Sequence, residues 1–209
     1  MRPPIINEEA CAYLRAKDEI FSQIESRYGL PPNWQRPPGF ETLARLILEQ
    51  QVRLESAYHT YQLLVEKLGA LEPKLILTLD DREMRACKVS RQKARYLRIL
   101  SEAVLHDELD IPGLANCSEA EVRARLTALT GIGPWTADIY LLTVLQAPDL
   151  FPLGDVAAVN SVKHLKGVTT KEEVGEIAAA WSPYRSTALY YCWHDYLGRQ
   201  GRNIDAIYE

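Results

Sequence analysis

Apolar residues recur along this chain at intervals of three and four, and no sustained alternation of apolar and polar residues suggests a strand. Tyr13, Leu14, Ile20, Phe21 and Ile24 approximate one stripe and predict a first helix from an Asn7 cap to Gly29. The run Pro31-Pro32-Asn33-Trp34-Gln35-Arg36-Pro37-Pro38-Gly39 cannot be regular helix, since proline lacks the N–H and clashes with the preceding turn, so it reads as a rigid connector. Leu43, Ile47, Leu54, Ala57, Tyr61, Leu64 and Leu68 fall near a 3.6-residue period and predict one long helix from about Phe40 to Leu68, with Gln50 and Gln51 in its middle. Asp80 with Glu83, and Ser90 ahead of the Ala94, Leu97, Leu100, Val104 stripe, carry the N-cap signals of two more helices.

The start signals sharpen further on. Ser118 and Glu121 form a capping box for a helix bearing Val122, Leu126 and Leu129, which stops at Thr130-Gly131-Ile132-Gly133-Pro134. Pro134 suits the first turn of the next helix, where its missing N–H would be orphaned in any case; that helix carries Ala137, Tyr140, Leu141 and Val144 to about Gln146. After a loop, Asp155 stands at the N-cap of a helix bearing Val159, Val162 and Leu165. Thr170 with Glu173 caps another, and Ser182-Pro183 opens the last, which ends near Gly198. The pattern predicts an all-α fold. No repeat, low-complexity tract or long linker divides it, so one compact unit of two helical lobes is expected.

Composition narrows the class. A chain of 209 residues, 47% of them hydrophobic, can bury a core without metals or disulfides. Cys11, Cys87, Cys117 and Cys192 are scattered singly, unlike a zinc site or a secreted disulfide framework, and read as reduced thiols in a cytoplasm. No stretch approaches the roughly 20 apolar residues that span a bilayer, and Met1-Arg2-Pro3-Pro4 lacks the apolar block of a signal peptide, so a soluble cytoplasmic protein is expected. The net charge of -4 argues mildly against non-specific nucleic-acid binding, which needs clustered Lys and Arg. Locally, however, Arg82, Arg85, Lys88, Arg91, Lys93, Arg95 and Arg98 are opposed by Glu83 alone. Taken by itself that cluster reads as a solvated helix face, and it becomes a DNA-contact candidate only with other support.

The turn at Gly131-Ile132-Gly133 is the strongest candidate for chemistry. Glycine permits positive φ and a close backbone approach, and N–H groups at the following helix start favour an anion. Two glycines alone read as an ordinary helix–helix turn, and Asp155 alone as a plain N-cap.

Together they carry more. Leu129 to Asp138, followed by Leu150-Phe151-Pro152-Leu153-Gly154-Asp155, resembles the hairpin, Gly/Pro-rich loop and aspartate of the helix-hairpin-helix DNA glycosylase superfamily, and most of all its 3-methyladenine DNA glycosylase II branch. Phe40-Glu41-Thr42-Leu43, Ile47-Leu48-Glu49-Gln50-Gln51-Val52, Ser90 to Leu97 and Trp181 to Ala188 resemble the other blocks, so the likeness spans roughly residues 39 to 198. Thr130 departs from a common proline. The length is similar to that of compact members without an extra N-terminal β-domain.

The resemblance implies an active-site cleft between two lobes, one built from the N-terminal segment with about 118–209 and the other from about 40–117. It implies base excision repair of alkylated purines by base flipping. It implies as partner double-stranded DNA containing a damaged base, and a monomer acting near the nucleoid, away from any membrane. Asp155 would be the essential carboxylate, and Trp135, Trp193 and Tyr140 would line the base pocket, with Trp34 a weaker candidate; buried tryptophans are otherwise ordinary core. Gly131, Gly133, Thr136, Ala137, Ser90, Arg91 and Lys93 would contact DNA, and Ser90-Arg91 aligns where a duplex wedge is expected. No cofactor is required, although the carbonyls of Thr127, Leu129 and Ile132 match a hairpin site for a sodium or potassium ion. A silent DNA-binding module would need neither Asp155 nor an aromatic pocket. An enzyme for oxidised or mismatched bases would be expected to bring a catalytic lysine, where this chain has Trp135, or an iron–sulfur cysteine quartet, which it lacks.

Overall fold

The computed structural model describes residues 2–202, all of whose regular elements are helical. In chain order they are α1 (Glu8–Lys17), α2 (Glu19–Tyr28), α3 (Phe40–Glu49), α4 (Leu54–Leu68), α5 (Pro73–Ile76), α6 (Asp81–Ala86) and α7 (Arg91–Leu105). A 3-10 turn at Pro112–Asn116 leads to α8 (Glu119–Thr127), α9 (Pro134–Thr143), α10 (Val156–Lys166), α11 (Lys171–Ala179) and α12 (Arg185–Arg199). The chain forms two compact units. One comprises the described residues of Met1–Gln35 and Gln146–Glu209, the other Arg36–Leu145.

In the first unit, α12 packs on α10, α2, α11 and α1. Its core includes Leu14, Phe21, Ile24, Trp181, Tyr190 and Tyr191. The single helix expected from Asn7 to Gly29 is two helices, because Asp18 closes one and opens the next. Its φ of -153° leaves the helix, and its carboxylate accepts from the Ile20 N–H at 3.2 Å, Lys166 Nζ at 2.7 Å and Trp181 Nε1 at 3.2 Å. The last helix begins at Arg185 and not at Ser182-Pro183. Tyr184 supplies no side-chain cap, and Asp149 takes over that task from a distance, accepting from the Arg185 N–H at 3.2 Å and its Nε at 2.8 Å.

In the second unit, α3 packs on α4, α7 and α9, α7 on α5 and α6, and α8 on α9. The long helix expected from Phe40 to Leu68 is broken at residues 50–53, where Gln51 takes φ 58°. Nothing in the apolar period announces this break, since no Gly or Pro marks it. Partners from elsewhere in the unit hold the break: Lys93 Nζ donates to the Leu48 carbonyl at 2.6 Å, and the Gln50 side-chain amide donates to the α8–α9 hairpin. Behind it lies a buried, two-pronged ion pair, Arg36 Nη1 and Nη2 each 3.0 Å from an oxygen of Glu49.

The boundary between the units differs from the expected one near residue 118. Residues 118–145 belong with α3 and α7, since Arg36 donates its N–H to the Thr143 carbonyl at 2.8 Å and Gln50 bonds both ends of the hairpin turn. Residues 203–209 of the expected C-terminal lobe lie outside the described residues. Cys11, Cys87 and Cys192 are buried and free, and burial pushes all three thiols above the ordinary cysteine range.

Candidate functional site

The hairpin arms are α8 and α9. The Ser118–Glu121 capping box starts α8, and Arg123 Nε donates to Asp138 Oδ1 at 2.6 Å, tying one arm to the other. In the turn, Ile132 is a buried plug whose N–H donates to the Leu129 carbonyl at 3.1 Å. The two glycines do different work. Gly131 has φ 106°, and a Cβ there would sit 2.3 Å from Cγ of the Tyr96 ring, so both conformation and packing demand glycine. Gly133 has φ -93° with nothing within 4 Å of a would-be Cβ; its bareness serves the outside. As the N-cap of α9 it offers no side-chain oxygen to the first turn, whereas α7, α8, α10 and α11 each begin with one.

The contact of Tyr96 with Gly131 places α7 against the hairpin within the second unit. Of the expected DNA contacts, Gly133 and Arg91 are exposed. Ser90 is exposed too, but its hydroxyl caps α7, accepting from the Lys93 N–H at 3.2 Å. Lys93 is turned inward onto Leu48; burial lowers its pKa from the ordinary lysine value, partly offset by Glu49. Thr136 is buried, so only its backbone remains for a phosphate. Ala137 departs from expectation: its side chain is buried and its N–H is taken by the Gly133 carbonyl at 3.1 Å, the first bond of α9. Trp135 is half-buried in the first turn of α9. Tyr140 is wholly buried, and burial pushes its hydroxyl up to about 12; that oxygen has no hydrogen-bond partner among the described residues. Its position is that of a core residue.

The carboxylate belongs to the first unit. The turn ending in Asp155 N–H to Pro152 carbonyl, 2.9 Å, delivers Asp155 to the N-cap of α10. Its side chain is 6% exposed, and Oδ1 accepts from two donors, the Ala158 N–H at 2.9 Å and Trp193 Nε1 at 3.0 Å. Two donors at one oxygen fix the carboxylate plane, and the partial positive charge of the helix start lies behind it. Trp193 is held in turn by rings: Tyr190 stacks on it at 5.3 Å between centroids and Trp34 tilts against it at 6.0 Å. Trp34 itself is buried, its carbonyl accepting from the Tyr190 hydroxyl at 3.3 Å. The sequence reading thus named both members of the Asp155–Trp193 pair without seeing that they bond. It missed Gln50 and Tyr96, which lie inside the resembling blocks but carry no local signal of their role.

The expected cation donors, the carbonyls of Thr127, Leu129 and Ile132, sit at and just beyond the last residue of α8. Helix C-terminal carbonyls carry partial negative charge, and neutral oxygens suit a hard monovalent ion, so the donor set fits. Among the described residues no cluster of His, Cys, Asp or Glu could hold a metal, and no helix is long and apolar enough to cross a membrane.

The profile described as HhH-GPD superfamily base excision DNA repair protein matches residues 44–184, a span that takes in the hairpin and Asp155. A DNA-3-methyladenine glycosylase of Bacillus subtilis is 29% identical over 172 residues, covering 75% of this chain; the match spans only 57% of that relative's length. The solved structure of Schizosaccharomyces pombe 3-methyladenine DNA glycosylase in complex with abasic DNA superposes with a TM-score of 0.82 at 26% identity, over 88% of this chain and 95% of that one. An 8-oxoguanine glycosylase/lyase of Clostridium acetobutylicum, bound to duplex DNA, shares the fold alone: TM-score 0.71 at 20% identity, over 92% of this chain and 70% of that one. By the extent of the profile match, this chain belongs to the HhH-GPD superfamily of base excision DNA repair proteins.

Proposed function

We propose that the protein is a monofunctional DNA glycosylase that hydrolyses the N-glycosidic bond of alkylated purines, of the 3-methyladenine type, in duplex DNA. The observation that carries the proposal is Asp155: a buried carboxylate oriented by two donors at a helix start, in a chain that also holds the hairpin. Chemistry on a base inside a duplex requires the nucleotide to leave the stack, at a cost of a few kcal/mol. As the bond from C1′ to the base nitrogen breaks, its electron pair leaves with the purine and positive charge grows on the sugar. A preorganised carboxylate lowers that barrier electrostatically. Water then adds its oxygen to C1′ and gives up a proton, leaving an abasic sugar. An alkylated purine already carries positive charge and departs neutral, so no second acid is needed to protonate it; this is the carboxylate pair of sugar hydrolases with one member removed.

The rings support the choice of substrate. Trp193 and, in the other unit, Trp135 are large, partly accessible indoles. An electron-rich ring face attracts a cationic base by about 0.5–2 kcal/mol beyond stacking. The hairpin would grip phosphate through backbone N–H groups, a contact that positions the protein without reading sequence. A monomer is sufficient for this chemistry, and its place of action is chromosomal DNA in the cytoplasm.

The test is base release from a panel of duplexes, each with one modified base. Release of 3-methyladenine or 7-methylguanine, with 8-oxoguanine and uracil retained, is expected; release of 8-oxoguanine with the methylated purines retained would refute the proposal. The carbonyls of Thr127, Leu129 and Ile132 would hold a potassium or sodium ion that adds positive charge beside the bound phosphate. Duplex affinity should then be higher in potassium than in an equal concentration of a bulky organic cation, and equal affinity in the two would remove the ion.

A further inference from the structure

We infer that Gln50 is a positioning residue: its side-chain amide locks the hairpin in the shape that grips phosphate. The amide nitrogen donates to the Gly131 carbonyl at 2.8 Å and to the Thr136 hydroxyl at 3.0 Å. Those acceptors lie at the two ends of the turn, one before Gly133 and one in the first turn of α9, so a single NH2 group closes the loop like a staple. Both of its hydrogens are used. The staple is anchored, because Gln50 is the C-cap of α3, and that helix end is held by Lys93 on Leu48 and by the Arg36–Glu49 pair. On the other side, the Tyr96 ring lies where a Gly131 side chain would be. Gly131 is therefore confined from two directions at its positive φ.

The staple explains the break between α3 and α4. A continuous helix through residue 50 would commit the backbone there to the α3–α4 ladder; the observed C-cap, with φ -59° and ψ 127°, departs from helix and presents the amide to the turn. Without it, the turn would have to be ordered at the moment of binding, and that cost would come out of the affinity.

This inference rests on the hairpin being the phosphate grip proposed above, so the experiment separates the two. Gln50→Glu keeps the shape but puts an acceptor against the Gly131 carbonyl; Gln50→Met keeps the length and donates nothing. Both should weaken binding to undamaged and damaged duplexes in step, by about tenfold, because the turn must then be ordered on binding. The single-turnover release constant at saturating enzyme should stay within about twofold of wild type, because Asp155 is carried by the other unit. A merely structural role would lower the melting temperature and the active fraction but leave the Kd of the folded fraction unchanged.

Gly133→Asp is the reference. Its backbone is ordinary and its surroundings open, and aspartate is a good N-cap, so the variant should fold while setting a carboxylate where phosphate would sit. If Gly133→Asp weakens binding and both Gln50 variants bind as wild type, the staple is refuted and the hairpin reading survives. If Gly133→Asp also binds as wild type, the hairpin is not the grip and both fall. A release constant that drops while Kd holds would equally overturn the positioning role.

Discussion

Replacing Asp155 with asparagine is expected to lower base release by roughly 10²–10³-fold, the scale of losing one preorganised electrostatic partner. Duplex affinity should change little. Asparagine keeps the shape and can still cap α10 through its side-chain oxygen, accepting from Ala158 as the carboxylate does, so the fold should survive. What disappears is the negative charge beside the sugar. Trp193→Phe should give a smaller loss of the same kind, since it removes the Nε1 bond to Oδ1 while leaving a ring against Tyr190. Single-turnover kinetics with matched melting curves would read both. A folded Asp155→Asn protein with wild-type turnover would show that the sugar cation is stabilised by some other group.

The second large effect is an all-or-none one. Borohydride added during turnover should trap no covalent protein–DNA adduct, and strands should break only after alkali or heat. Strand-cutting members of the superfamily that this chain resembles place a lysine at the position of Trp135, where its amine attacks the sugar, forms a Schiff base and drives elimination. Indole cannot do this. Of the other lysines, Lys163 and Lys166 lie in the last turn of α10, at the opposite end from Asp155, and Lys166 is paired with Asp18 at 2.7 Å. Lys93 is the amine that burial favours in its neutral form, yet its Nζ is held by the Leu48 carbonyl. Fold alone does not separate the two chemistries, because the glycosylase/lyase of Clostridium acetobutylicum shares it. An adduct mapped to any lysine would overturn the assignment to hydrolysis.

Where local chemistry decides structure, the sequence was legible. The capping boxes at Asp80–Glu83, Ser118–Glu121 and Thr170–Glu173 all form, each within four residues of chain. The start of α9 at Pro134 and the N-cap role of Asp155 were legible for the same reason. The breaks were not. Those at Asp18 and at residues 50–53 are held by Lys166, Trp181, Lys93 and the hairpin, all far away in sequence, while the apolar period runs on across them. Asp149 capping α12 is of the same kind. In the candidate site, residue types and positions were readable, but orientation was not. The hydrogen bond from Trp193 to Asp155 and the inward turns of Lys93, Ala137 and Tyr140 depend on helix packing that spacing does not encode.

The buried thiols bear on survival under the conditions the proposed chemistry addresses. Reagents that methylate purines are electrophiles, and in a protein they react fastest with thiolates. Cys11, Cys87 and Cys192 are shut away from solvent, and burial raises each above the ordinary cysteine range, so that each stays protonated. Their reactivity is suppressed twice over, by access and by charge state. Under the proposed activity, three of the protein's own softest nucleophiles are thereby kept out of the reaction that would create its substrate.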